Sequence, residues 1–280
     1  MNPELFELPG FEAPLRSHPL LVALALFAAW LWSLSMAAED ELPAERLGWV
    51  FVAGVVSAVV GARLFWVLQQ PGSFDGVASL VVPRPGELAW GGGVLAGVAV
   101  SAVACRRLGV PLAAWLDCLA PALLLVVFAD RVGAFLAGVD FGTYAPDLPW
   151  SVRYPYGSPA HIFHLRNMPL IATREGGSLP VHPTPVYGAA CVLVGLLAAR
   201  WLRRRQSPAG RGAARGRIAW FCLGVFALAE MLLEPSFRVR PVGLEVFGVD
   251  LDRLAGGFFV LLAAYGGWRS GSGAPVSGEP

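Results

Sequence analysis

Lysine is absent from this sequence: all 21 of its basic residues are arginines, and nothing about mechanism follows from that bias alone. Charge of either sign is scarce, at 15% of 280 residues, where soluble domains carry about 25%. The net charge is only +1, so the chain lacks the concentrated basic face that phosphate backbones require, and nucleic-acid binding is excluded. Cysteine is limited to Cys105, Cys118, Cys191 and Cys222, each in or at the end of an apolar segment with no CxxC spacing, which leaves buried thiols and no metal cluster. A basic leader is missing too. The first fourteen residues carry Glu4, Glu7 and Glu12, so the first apolar segment is expected to stay in place as an anchor.

Hydrophobic residues make up 56% of the chain and the mean hydropathy is +0.59. A helix that crosses a bilayer needs about 20 mostly apolar residues. The runs that qualify are 19–38, 47–68, 88–104, 111–138, 183–202, 218–233 and 251–268. They predict an all-α, polytopic membrane bundle of about seven helices, forming a single integral-membrane domain over 1–270 with a disordered tail at 271–280. The fourth run exceeds a bilayer's needs and holds Asp130 and Arg131, which predicts a tilted or broken helix there. The excursion 139–182, rich in Pro and Gly, is long enough to cap one face. Arg203, Arg204, Arg205, Arg211, Arg215 and Arg217 crowd a short connection. By the positive-inside rule that connection is cytoplasmic, which puts the N-terminus and the 139–182 cap in the periplasm.

Ionisable groups within spans are costly and are the first candidates for function. Arg63 and Arg131 suit a phosphate, whereas Asp117, Asp130 and Asp252 read first as members of ion pairs between helices. Glu230 and Arg253 complete the set. In the run WGGGVLAG, Gly93 and Gly97 have the small-xxx-small spacing of close helix packing, with a backbone-lined headgroup pocket as the alternative. His161 and His164 lie one helical turn apart, but with no acidic or thiol partner they read as loop histidines rather than metal ligands. No cofactor is implied. A transporter is disfavoured by the absence of inverted repeats.

Several segments together resemble the bacterial prolipoprotein diacylglyceryl transferases: PLRSHPLLVALALF, GARLFWVL, AWGGGVLAG, RVGAFLAGVDFG with DLPWSVRYP, LPVHPTPVYGA, and EMLLEPSFR. The resemblance spans almost the whole chain. It implies an inner-membrane enzyme that moves diacylglyceryl from phosphatidylglycerol, or another anionic phospholipid, to the lipobox cysteine thiol of prolipoprotein signal peptides, releasing glycerol phosphate. Carried onto this sequence, it implies catalytic roles for Arg131, His182 and His18. Substrate contacts would come from Arg63, Gly92, Gly93, Gly133, Gly142, Tyr187, Glu230, Arg253 and Arg238. Compared with the family pattern, His18 stands in place of Tyr, Gly91 of His, Gly188 of Glu, Arg253 of Gln and Leu233 of Arg. Arg131 is then expected to face a lipid-open cavity away from acidic partners, with Arg253 or Arg238 as the second cation. The alternative is a non-catalytic paralogue that binds phospholipid or signal helices.

Overall fold

The computed structural model describes residues 4–6, 15–69, 88–171, 176–206, 215–237, 245–246 and 249–272. Among the described residues eight helices carry the fold: α1 (Ser17–Glu39), α2 (Ala44–Gln69), α3 (Trp90–Leu108), α4 (Leu112–Ala137), α5 (Pro159–Asn167), α6 (Thr184–Arg205), α7 (Arg217–Phe237) and α8 (Leu251–Ser272). Two short antiparallel pairs accompany them, β1 (Glu4–Phe6) with β2 (Leu15–Arg16) and β3 (Glu245–Val246) with β4 (Val249–Asp250). Each of the seven predicted spans lies on a helix. Five of them, α1, α2, α3, α4 and α6, are long and apolar enough to cross a membrane, and the chain is a multi-pass helical membrane protein. The helix α8 runs two residues into the predicted tail.

Of the tilt or break expected in the fourth span, the break does not occur. Helix α4 is continuous for 26 residues with the buried Pro121 inside it; a proline is tolerated where neighbouring groups accommodate the freed carbonyl. Its end is built from local chemistry. Gly138 takes φ 69°, its N–H donates to the Phe135 carbonyl at 3.3 Å, and the Val139 N–H donates to Ala134 at 3.1 Å. This is the paired bond pattern that satisfies the last carbonyls of a helix, and only glycine enters it without a Cβ penalty.

The chain divides into two compact units. The first comprises Met1–Ala29, Leu123–Leu197 and Ala229–Arg240, and so contains the 139–182 excursion. That excursion has its own core of Phe141, Tyr154, Ala160 and Val181. Val181 bridges both Tyr144 and Val152, and burial, followed by the Asp140 charge, pushes the Tyr154 phenol up to about 12. Helix α5 starts on Ser158, whose hydroxyl accepts from the His161 N–H at 3.2 Å, with Pro159 as its first residue. His161 and His164 are buried and accept backbone N–H bonds from Gly157 and Leu179. They hold the cap together, so they are not exposed loop histidines.

The second unit comprises Trp30–Ala122, Ala198–Leu228 and Pro241–Pro280. Helices α2 and α3 pack antiparallel through glycine. A Cβ on Gly92 would meet the Gly61 carbonyl at 2.5 Å, and one on Gly93 the Ala58 carbonyl at 3.1 Å. Asp117 takes the place of a cap for α7, accepting from the Gly216 and Ala219 N–H groups at 2.6 and 2.8 Å. The ion pair expected of Asp117 is replaced by this capping role.

Candidate active site

The polar centre of the first unit grows from one turn of α4. Asp130 and Arg131 are consecutive, so their side chains leave the helix about 100° apart and serve different partners. The Asp130 Oδ1 lies 2.8 Å from Nε2 of His18, at the start of α1. The two side chains keep 39% and 29% of their exposure, so the dyad is reachable. With Nε2–H donated to the carboxylate, the lone pair sits on Nδ1, and a buttressed imidazole of this kind is what a general base needs. Gly133 makes room for the ring, since a Cβ there would lie 2.6 Å from His18 Cδ2 and 3.1 Å from its Cα.

Arg131 is buried and paired, which corrects the expectation that it avoids acidic partners. Its Nη2 donates to Glu230 of α7 through a very short contact, and its Nη1 donates to Asp140 Oδ2 at 3.0 Å. The partners differ in access: the Glu230 side chain is 5% exposed, that of Asp140 38%. A buried guanidinium needs such charge-assisted bonds to offset its desolvation. Gly188 lets the arginine stem pass, a Cβ there falling 3.2 Å from Arg131 Cδ. Asp140 itself adopts φ 56°, a left-handed conformation that Asp tolerates better than most residues. Its carbonyl also accepts from the Thr184 hydroxyl. Sequence reasoning missed Asp140; the only signal was its place two residues after the helix-ending glycine.

Other candidates lie elsewhere within the same unit or outside it. The described partners of His182 are aromatic: Phe237 at 4.9 Å between ring centroids, and Tyr187, whose hydroxyl is 3.4 Å from its Nδ1. Tyr187 also accepts from the Trp150 indole at 2.7 Å. Gly142 threads beside these residues, its N–H donating to the His182 carbonyl at 3.0 Å, and a Cβ there would lie 2.6 Å from His182 Cβ. Glu230, expected among the substrate contacts, is Arg131's anchor. Arg63, Gly92, Gly93 and Arg253 belong to the second unit. Arg63 is buried with its guanidinium 4.7 Å from the Trp66 ring. Gly92 and Gly93 are covered by α2, so the pocket reading gives way to helix packing. Arg253 is exposed. Arg238 lies outside the described residues.

Residues 3–264 match the family model described as "Prolipoprotein diacylglyceryl transferase". The chain is similar to the phosphatidylglycerol–prolipoprotein diacylglyceryl transferase of Thermus thermophilus, 31% identical over 255 residues and covering 84% of each protein. It is also 27% identical to the protein of the same name from Methylibium petroleiphilum, with 83% of each covered. A third, from Corynebacterium efficiens, is 27% identical, with 95% of this chain and 82% of the relative covered.

Proposed function

The chain belongs to the prolipoprotein diacylglyceryl transferase family, and from that premise we propose that it transfers diacylglyceryl from phosphatidylglycerol to a prolipoprotein thiol, with the His18–Asp130 dyad as base. The observation that carries the reading is the 2.8 Å dyad beside a clamped arginine. A free thiol has a pKa near 8.5 and attacks as the thiolate. His18 Nδ1 takes the thiol proton while Asp130 holds the ring and offsets the charge that appears on it. The sulfur then bonds to the glyceryl carbon bearing the phosphodiester oxygen. The C–O bond breaks, and its electron pair leaves on glycerol phosphate.

Arg131 supplies the cation for that leaving group. Asp140 is the exposed partner and Glu230 the buried one, so phosphate displaces Asp140 from Nη1 while Glu230 keeps the guanidinium in place. A preorganised donor of this kind contributes about a hundredfold or more in rate. The thiol arrives on a signal peptide, and His182, Tyr187 and Gly142 shape the neighbouring rim. The Arg-rich 203–217 connection supports a cytoplasmic placement for that loop and a periplasmic N-terminus, in the inner membrane.

One observation favours a second reading, a non-catalytic paralogue that binds phospholipid or signal helices: two carboxylates already neutralise Arg131. Complementation of a strain depleted of its own transferase separates the two. Growth with the wild-type chain and failure with His18→Phe is the outcome expected of an enzyme; no growth with either, at normal membrane levels of protein, selects the second reading.

A further inference from the structure

The second unit carries a groove that the reaction leaves unused. It lies along α2 and α3, has a volume of about 660 Å³, and is lined by Val50, Ala53, Ala99 and Val103, with Arg46 and Arg107 among the remaining lining residues. The register explains the placement of the arginines. Gly61 faces Gly92, and Gly54 faces Ser101. Continued about two turns further, the same antiparallel pairing brings Arg46, in the first turn of α2, level with Arg107, in the last turn of α3. Glycine keeps the two helices in contact higher up, and alanine at 53 and 99 leaves a furrow below.

Both arginines are exposed and neither pairs with a carboxylate among the described residues, unlike Arg131 and Arg203, which do. Trp49, 77% exposed, lines the same groove, and its position beside two end-of-helix arginines is that of an interfacial residue. A furrow of this chemistry, apolar along its length with two unpaired cations at one end, matches a single amphiphile. We infer that the groove holds one anionic diacyl phospholipid, with an acyl chain in the furrow and its phosphate between Arg46 and Arg107. The site is separate from turnover and does not rest on the proposed transferase activity. The physical basis is that a basic pocket at the membrane surface selects anionic headgroups by an attraction that salt screens.

The test uses the full-length protein in phosphatidylcholine vesicles. Either phosphatidylglycerol or phosphatidylcholine, brominated along the acyl chains, is titrated in, and the Trp49 emission is isolated by difference against Trp49→Phe. A preference for phosphatidylglycerol on the order of tenfold is expected. It should collapse at high salt and in Arg46→Gln/Arg107→Gln, and persist in Arg46→Lys/Arg107→Lys. Equal quenching by the two lipids in the unmodified protein would mean annular lipid only and would overturn the inference, whether or not the variants fold. A preference that survives in the double glutamine variant, with its thermal transition unchanged, would overturn it as well. Lipidation activity enters neither outcome, so loss of the transferase reading would leave this result standing.

Discussion

Arg131 and Arg203 sit one in each compact unit, 7% and 8% exposed, and each faces two carboxylates. Their partners come from different places. Arg203 reaches the end of α1, meeting Asp40 at 3.0 Å, Glu39 at 3.8 Å and the Met36 carbonyl at 3.1 Å. That cluster completes a helix C-terminus, where a cation is favoured by unsatisfied carbonyls and the helix dipole. Arg131 instead draws on Glu230, 99 residues away and buried, and on Asp140, nine residues away and half open to solvent. One arginine closes a structural joint. The other is anchored by a buried carboxylate on one side and meets a more accessible one on the other, the asymmetry that the proposed phosphate contact requires.

Arg131→Gln is the harshest test of that contrast. It leaves Glu230 buried without its cation, a loss of about 3 to 5 kcal/mol of stability, together with a fall of about a hundredfold or more in lipidation rate. Thermal unfolding in detergent and a lipidation assay with phosphatidylglycerol read the two effects separately. Activity kept at the stability-corrected level would place Arg131 with Arg203 as purely structural.

The dyad comes next. His18→Phe and Asp130→Asn are expected to lower the rate by about 10² to 10⁴ at neutral pH with little change in melting temperature. A milder dependence on Asp130 than on His18 would fit a ring held by other contacts. If both variants transfer diacylglyceryl at the parent rate, the base lies elsewhere.

Arg203→Gln is expected to cost about 1 to 3 kcal/mol, by leaving Asp40 and the α1 terminus poorly satisfied, and to leave the rate per folded molecule unchanged. A change in rate at unchanged fold would erase the distinction between the two arginines. Gly133→Ala should be smaller still in stability, yet its added Cβ would lie 2.6 Å from His18 Cδ2, displacing the ring and slowing transfer by about tenfold. The informative control is Gly109→Ala, at a positive-φ helix end with open space around it, which should cost stability and leave the rate per folded molecule intact.

The smallest effect concerns the cap. Burial first, and the neighbouring His161 second, hold His164 below its ordinary 6.5, so the folded cap favours the neutral ring. The neutral Nδ1 accepts the Leu179 N–H at 3.2 Å. The resulting stabilisation is complete above about pH 6.5 and is lost as the pH falls through the depressed folded value. Amide exchange at Leu179 should quicken over that acidic range, corrected for intrinsic rates, and a flat profile would show that the bond contributes nothing.

What could be read in advance divides along the same lines. Seven apolar runs of spanning length predict helices, because the length and composition of a span are local properties and lipid leaves no other way to satisfy the backbone. The fourth run is drawn to 138, and the structure closes α4 at Gly138 for an equally local reason. The segments RVGAFLAGVDFG, LPVHPTPVYGA and EMLLEPSFR together carry the resemblance to the family to which the chain belongs. Partner choice was not legible at that level. Asp117 looked like half of an ion pair, but it became the cap of α7 because Gly216 and Ala219, about a hundred residues on, present their N–H groups to it.

Neighbouring residues alone specify an all-helical membrane protein of the transferase family, since hydrophobic length and motif spacing are both local. Packing between distant segments is what brings His18 to Asp130 across 112 positions and shares Arg131 between Glu230 and Asp140. The physical reason is that a charge in a low-dielectric interior must find a partner. Several acids could have served each cation, and which one does depends on the packing that brings it within hydrogen-bond reach.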